Sequence, residues 1–182
     1  MLGHIVDGDG IHDNPSTTSQ VVGAPVPTTK TELRSFLGLA SCYRRFMKDF
    51  AKIAAPLHAA TTPKWKFQWD GEMQEAFIEL KKKLCSPPVL TYPEFNKSFV
   101  VETDASEYSV GAVLSQKDEN GKLHPIQFSS RTMNQDERKY SVCETEAFAG
   151  VSVLKKFSVY LLAPGSENPR CSFVKNSSEY LE

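Results

Sequence analysis

The chain has 182 residues, of which 40% are hydrophobic, so one or two small domains can build a genuine apolar core. A formal net charge of −1 excludes a uniformly basic nucleic-acid coat. The first ten residues contain Asp7 and Asp9 and no long apolar run, which argues against a signal peptide, and no stretch is long enough to span a membrane.

Leu2-Gly3-His4-Ile5-Val6, followed by Asp7-Gly8-Asp9-Gly10, reads as a short hairpin closed by Gly-rich turns. Ser, Thr and Pro then dominate up to Pro25-Val26-Pro27, a linker ending in a stiff stop. Thr29-x-x-Glu32 is a capping box, and it opens a strong helix carrying Leu33, Phe36, Leu37, Ala40, Tyr43, Met47, Phe50 and Ala54 at helical spacing. Pro56 ends or restarts that helix. Gly38 inside it should cost about 1 kcal/mol relative to Ala, which points either to close helix packing or to close approach of a ligand backbone.

An aromatic connector, Pro63–Trp69, leads to Asp70, which caps a second helix with Met73, Ala76, Phe77, Leu80 and Leu84 on one face. Lys81-Lys82-Lys83 suits its C-terminal dipole, and Pro87-Pro88 stops it. From Lys97 the period changes to two. Phe99, Val101 and Thr103 alternate with Val100 and Glu102 in a strand ending at Asp104. Gly111–Gln116 and Leu123–Phe128 read as two further strands joined by a hairpin turn at Asp118-Glu119-Asn120-Gly121. Asn134-x-x-Glu137 is a second capping box, opening a helix with a stripe of Cys143, Ala147, Gly150, Leu154, Phe157 and Leu161. After Leu162 the pattern decays into a polar tail. The fold class is α+β.

Charge is unevenly spread. Residues 28–66 carry eight basic side chains against two acidic ones, a local excess of six. Such a patch either meets phosphates or is a solvated helical face. Cys42, Cys85, Cys143 and Cys171 form no C-x-x-C pair, so neither a zinc site nor a disulfide framework is expected, and reduced thiols in an intracellular protein fit best.

Asp104 and Glu146 are the candidate chemical residues. Three antiparallel strands and a helix can bring a strand-terminal Asp and a helical Glu together over the sheet, where paired carboxylates suit Mg²⁺ and phosphodiester chemistry. The plainer alternative is turn chemistry at Asp104 and a solvated Glu146.

Leu33–Phe46, running Leu-Arg-Ser-Phe-Leu-Gly-Leu-Ala-Ser-Cys-Tyr-Arg-Arg-Phe, resembles the thumb helix of gypsy-type retrotransposon reverse transcriptases. Leu2–Val6 with Gly10-Ile11 resembles the primer-grip segment at the end of the palm. Phe67-Gln68-Trp69-Asp70, Ala76-Phe77, Leu80-Lys81 and Pro88-Val89-Leu90 resemble the family's connector. Thr103-Asp104-Ala105-Ser106, Gly111–Gln116, Pro125-Ile126 with Ser130-Arg131, and Tyr140 with Glu144 and Glu146 follow in family order, so the resemblance covers residues 1 to about 162.

It implies an end of palm and linker at 1–26, thumb helices at 27–62, a connector at 63–96 and a truncated ribonuclease H-like domain of three antiparallel strands and a helix at 97–182. It implies RNA-directed DNA synthesis and cleavage of RNA in RNA–DNA hybrids by ancestry. The implied partners are duplex or hybrid nucleic acid and the rest of a Pol polyprotein, with no membrane. Asp104 and Glu146 would be catalytic and Mg²⁺-binding, with Glu144 as the alternative by register. Leu2, Gly3, Arg34, Gly38, Arg44, Arg45 and Lys48 would contact nucleic acid, the cations as a partly continuous face.

The chain departs from the family in one respect that bears on catalysis. The family's third metal ligand is an aspartate ending a strand in Thr-Asp-His, but here Phe173-Val174-Lys175-Asn176-Ser177 occurs and no Asp follows Asp136. The polymerase Tyr-x-Asp-Asp motif is absent as well. Hydrolysis by this chain alone is therefore not expected, and its C-terminal half should be marginal, frayed from about Ala163. The competing reading is a non-catalytic remnant that binds nucleic acid or a protein.

Overall fold

Two apolar cores organise the protein, and each follows from a different hydrophobic period. The computed structural model describes residues 5–8, 10–12, 19, 21–62, 66–85, 89–106, 108–162 and 171–175.

The first core is helical. Helix α1 (Lys30–Cys42) starts at Thr29, whose hydroxyl accepts the Glu32 N–H at 3.2 Å. The Glu32 carboxylate reaches back to the N–H and hydroxyl of Thr28, at 2.7 and 3.0 Å, so the reciprocal arm of the expected box lands one residue earlier. Leu33, Phe36, Leu37 and Ala40 are its buried stripe. The helix does not run on to Ala54. It gives way after Cys42 to a 3₁₀ turn (Arg44–Phe46) and to Asp49 in the left-handed region at φ 59°. Tyr43, Phe46, Met47 and Phe50 all enter one core across this break, and Asp tolerates the left-handed backbone better than most residues.

Helix α2 (Phe50–Ala60) then contains Pro56 rather than ending at it. The proline denies the Lys52 carbonyl its helical donor, and the burial of Ala51, Ala54 and Leu57 carries the helix through. Helix α3 (Gly71–Cys85) begins where Asp70 Oδ1 accepts the Met73 N–H at 2.8 Å. It buries Met73, Ala76, Phe77, Leu80 and Leu84. Phe77 lies 4.6 Å from Phe36 and edge-on to Trp69 at 5.7 Å, centroid to centroid. The segments read as thumb and connector thus share one core from Val21 to Leu90.

Strands β1 (Ile5–Asp7) and β2 (Gly10–His12) pair as a hairpin against the end of the connector. Ile11 and Leu90 exchange backbone hydrogen bonds of 2.8 and 3.2 Å. The Tyr92 hydroxyl donates to the carbonyls of Asp7 and Gly10. Glycine is required at Gly10, where φ is +141° and a Cβ would collide with the Leu90 carbonyl.

The second core lies between a sheet and one helix. β3 (Phe99–Ala105), β4 (Ser109–Lys117) and β5 (Leu123–Thr132) are antiparallel neighbours. The β4–β5 turn uses Asp118 Oδ1 as acceptor for Asn120 and Lys122 N–H, both at 2.9 Å, and Gly121 at φ +82°. Asn134 and Glu137 form their expected reciprocal bonds, but these open only a 3₁₀ turn (Glu137–Lys139). The long helix α4 (Val142–Leu161) starts later, at its own capping box of Ser141 and Glu144. Its buried stripe is Ala149, Val153, Phe157 and Leu161. Cys143, Ala147 and Leu154 are exposed, which corrects the register expected for the first half of this helix.

A further correction concerns the sheet. β6 (Cys171–Lys175) pairs in parallel with β3, giving a four-stranded mixed sheet in the order β5-β4-β3-β6. Fraying was expected from about Ala163; residues 163–170 lie outside the described residues, and 171–175 are strand. Half-exposed Phe173 and Val174 gave no core signal, and the open edge of β3 is what recruits them.

Glu32, Glu137 and Glu144 guard these boundaries, and each is held below the ordinary glutamate value of 4.5. The leading cause is the Thr28 N–H for Glu32, the Arg131 guanidinium for Glu137 and the Ser141 N–H for Glu144. Depressed folded-state values mean that the stabilisation is complete above the ordinary value and is lost as pH falls below it. Circular dichroism should therefore show helix loss between about pH 5 and about pH 3, and Glu144→Gln should blunt it. An acid titration identical for the two proteins would remove the Glu144 cap from the account.

Candidate functional site

The parallel ladder between β3 and β6 ends at Thr103–Lys175, while the antiparallel ladder with β4 runs on to Ala105–Val110. Asp104 therefore stands one residue past the last parallel pair. On α4 the buried stripe projects toward the N-terminus from Ala149 to Glu146, one turn beyond the packed core. Both carboxylate residues are exposed, and both line one cavity of about 290 Å³, with Met133 and Ala149 supplying buried apolar wall. Glu144 is not among the lining residues. Its carboxylate accepts the Ser141 N–H and hydroxyl, both at 2.8 Å, and is committed to the cap.

The pleat places Asp104 on the face of Glu102, opposite Gly111. There it also borders a narrow recess with Lys48, Asp49 and Glu102. A Cβ on Gly111 would come within 2.9 Å of Asp49 Oδ1, so the absent side chain leaves room where the helical half meets the sheet.

Glu137 is a third carboxylate on the 290 Å³ cavity. It is spoken for: Arg131 forks it with bonds of 2.9 and 2.8 Å, and the Asn134 N–H adds another at 2.8 Å. The Arg131 guanidinium also lies 4.5 Å from the centroid of the Phe148 ring, and Tyr140 meets that ring edge-on at 5.6 Å. This stack stands beside the cavity, with Tyr140 on the cavity wall.

These donors do not fit a two-ion Mg²⁺ site. Mg²⁺ demands near-octahedral oxygen ligation and gives up its water reluctantly. Asp104 and Glu146 bring two carboxylates to the cavity, and no group of three or more metal-ligating side chains occurs among the described residues. No catalytic step through a metal follows from them.

The basic residues expected on one face are divided. Arg34 donates to the Thr61 carbonyl at 2.8 Å and Lys30 to that of Thr62, so both hold the C-terminal end of α2. Lys48 lies on the narrow recess. Arg44 and Arg45 line a separate cleft of about 600 Å³ with Arg131, Lys155 and Lys156. The 3₁₀ turn after Tyr43 is the reason, because it ends the angular progression of α1. Gly38 is exposed and a Cβ there would meet nothing within 4 Å, which removes close helix packing as its explanation. Leu2 and Gly3 lie outside the described residues. The sequence reading gave no binding role to Arg131, which it met only in the Ser130-Arg131 segment, or to Lys155 and Lys156; the adjacent lysines on an amphipathic helix were the available signal.

A mixed sheet crossed by one long helix, with carboxylates where its strands part, defines a ribonuclease H-like unit, here joined to a helical one. The chain belongs to the family of ribonuclease H-like domains found in reverse transcriptases, which matches residues 69–167. It is 45% identical, over 89% of its length, to 15% of the Pol polyprotein of transposon 297 of Drosophila melanogaster. It is 38% identical, over 91%, to 18% of that of transposon opus from the same organism. Against the transposon Tf2-3 polyprotein of Schizosaccharomyces pombe the identity is 32%, over 88% of the chain and 12% of the polyprotein. The chain thus spans less than a fifth of the length of these relatives.

Among solved structures, the foamy viral protease-reverse transcriptase dRH in complex with double-stranded DNA matches 97% of the chain and 37% of its own, with a TM-score of 0.76 and 19% identity. The foamy viral protease-reverse transcriptase in complex with RNA/DNA hybrid matches 100% of the chain and 29% of its own, with a TM-score of 0.75 and 19% identity. At that identity the likeness is one of fold.

Proposed function

We propose that this chain is a substrate-holding segment of a retrotransposon Pol protein, and that by itself it binds RNA–DNA hybrid or duplex without cutting it. The observation that carries the reading is the Asp104–Glu146 cavity lying beside a cation-lined cleft, with the Arg131–Phe148 stack between them. Cations can hold a phosphate backbone in register, as sequence-independent contacts do. Asp104 and Glu146 are the pair that the strand past the stack would meet. They are offered as two ligands of the family's Mg²⁺ site, whose remaining ligands the described residues do not supply. Four free cysteines fit the intracellular setting expected of such a protein.

The test uses end-labelled RNA in a hybrid, with Mg²⁺ and the full chain. Binding should weaken steeply with salt, because phosphate neutralisation releases counterions. The RNA should stay intact, at the level of an Asp104→Asn control. Mg²⁺-dependent cleavage lost in both Asp104→Asn and Glu146→Gln would replace the holding role with catalysis. A chain with no affinity for hybrid or duplex at low salt would end the reading.

A further inference from the structure

The geometry points to a phosphate-backbone groove between the two halves of the molecule, in which α4 of the ribonuclease H-like unit supplies as much of the charge as the helical half. We propose that Lys155 and Lys156 act with Arg44 and Arg45 to grip the sugar-phosphate backbone of a bound duplex. This rests on the nucleic-acid reading above and extends it to residues and a cleft that the reading did not need.

The 3₁₀ turn Arg44–Phe46 packs against β5, the outer strand of the sheet, and α4 closes the other side. The cleft between them is about 600 Å³, within the roughly 300–1,000 Å³ of sites that hold small ligands. Five cations line it and no carboxylate does. Arg131 is neutralised by Glu137, but among the described residues Arg44, Arg45, Lys155 and Lys156 enter no ion pair. Four uncompensated charges around one concavity raise its positive potential and draw in anions.

Arg45 adds an independent sign. Its Nε is buried and has no hydrogen-bond partner. A buried donor on a charged group is costly to leave unmet, and a turn of the Arg45 guanidinium, which lines the cleft, would let it serve an oxyanion there. Guanidinium forks suit phosphate oxygens in particular, and the Ser129 and Ser152 hydroxyls on the same walls can donate to them. A polyanionic strand fits better than a single ion. The cations come from three separate elements, and the Arg131–Phe148–Tyr140 stack leads from this cleft to the Asp104–Glu146 cavity.

The experiment is a salt titration of RNA–DNA hybrid binding by the full chain and by Lys155→Glu/Lys156→Glu, read by fluorescence anisotropy. Both lysines are exposed, so the variant should keep its circular dichroism and melting temperature. The expected result is at least a tenfold loss of affinity at about 0.1 M salt. The slope of log affinity against log salt should fall by about 2, since each phosphate contact contributes roughly 0.9. Lys155→Arg/Lys156→Arg should bind like the parent. If the parent binds hybrid and the Glu variant matches it in affinity and slope, the groove is wrong while the holding role stands. If the parent itself does not bind, the underlying reading has failed. Inorganic phosphate, used as a competitor at equal ionic strength against chloride, should displace little hybrid; full displacement at millimolar levels would make this a free-anion site and overturn the backbone assignment.

Discussion

Phe157→Ala should destabilise the sheet-bearing half by about 3–5 kcal/mol, as large-to-small changes at a buried aromatic do. Phe157 is fully buried at the centre of the second core, among Phe99, Val101, Leu114 and Val153. Among the described residues α4 is the helix that covers that face, and its buried stripe is only four residues long. The loss is a large fraction of the 5–15 kcal/mol typical of a whole domain. In a Trp65→Phe background, which leaves one tryptophan, urea unfolding followed by Trp69 fluorescence and by circular dichroism should separate the halves. The Trp69 signal, which belongs to the helical core, should shift less than the circular dichroism. Coincident transitions shifted equally would mean that the two cores unfold as one unit.

Reversing Arg44 and Arg45 together to Glu should cost at least tenfold in hybrid affinity at about 0.1 M salt and lower the salt slope by about 2. The magnitude follows from position. Both arginines line the 600 Å³ cleft, and the buried Arg45 Nε has no hydrogen-bond partner. Arg34 makes the contrast. Its guanidinium is already committed to the Thr61 carbonyl at the end of α2, so Arg34→Gln should change stability more than binding. Arg45 is half-buried against Phe46, so Arg45→Lys, which keeps the charge, serves as the check on folding. An Arg44/Arg45 reversal that folds and binds with parental affinity and slope would take the 3₁₀ turn out of the interface.

Much of the local structure was legible because it is chemically local. Asp70 caps α3 through its own third neighbour, Thr29 does the same for α1, and Asp118 with Gly121 shapes a turn within five residues. Period-two alternation from Phe99 needs only the residues themselves. The same reasoning overreached wherever two local signals competed. Asn134 and Glu137 form a good cap, yet the chain leaves that turn at Tyr140 because Ser141 and Glu144 offer a second cap in line with the sheet. The apolar run from Leu33 to Ala54 reads as one helix because its period carries through, yet the backbone breaks at the Arg44–Phe46 3₁₀ turn and at Asp49, a change of direction that apolar spacing does not encode.

Residue pattern alone was enough for an α+β chain with a helical first half, for Glu146 on a helix, for a strand reaching Asp104 (it runs one residue further, to Ala105), and for positive charge gathered in residues 28–66. The rest depended on packing in three dimensions. It turned Cys171–Lys175 into a strand, since a short segment with exposed side chains gains its hydrogen bonds only from the free edge of β3. It committed Glu144 to a cap and put Glu146 on the cavity wall with Asp104. It assembled a cationic cleft from Arg44, Arg45, Arg131, Lys155 and Lys156, whose charges are far apart in sequence and interact through distance in space alone.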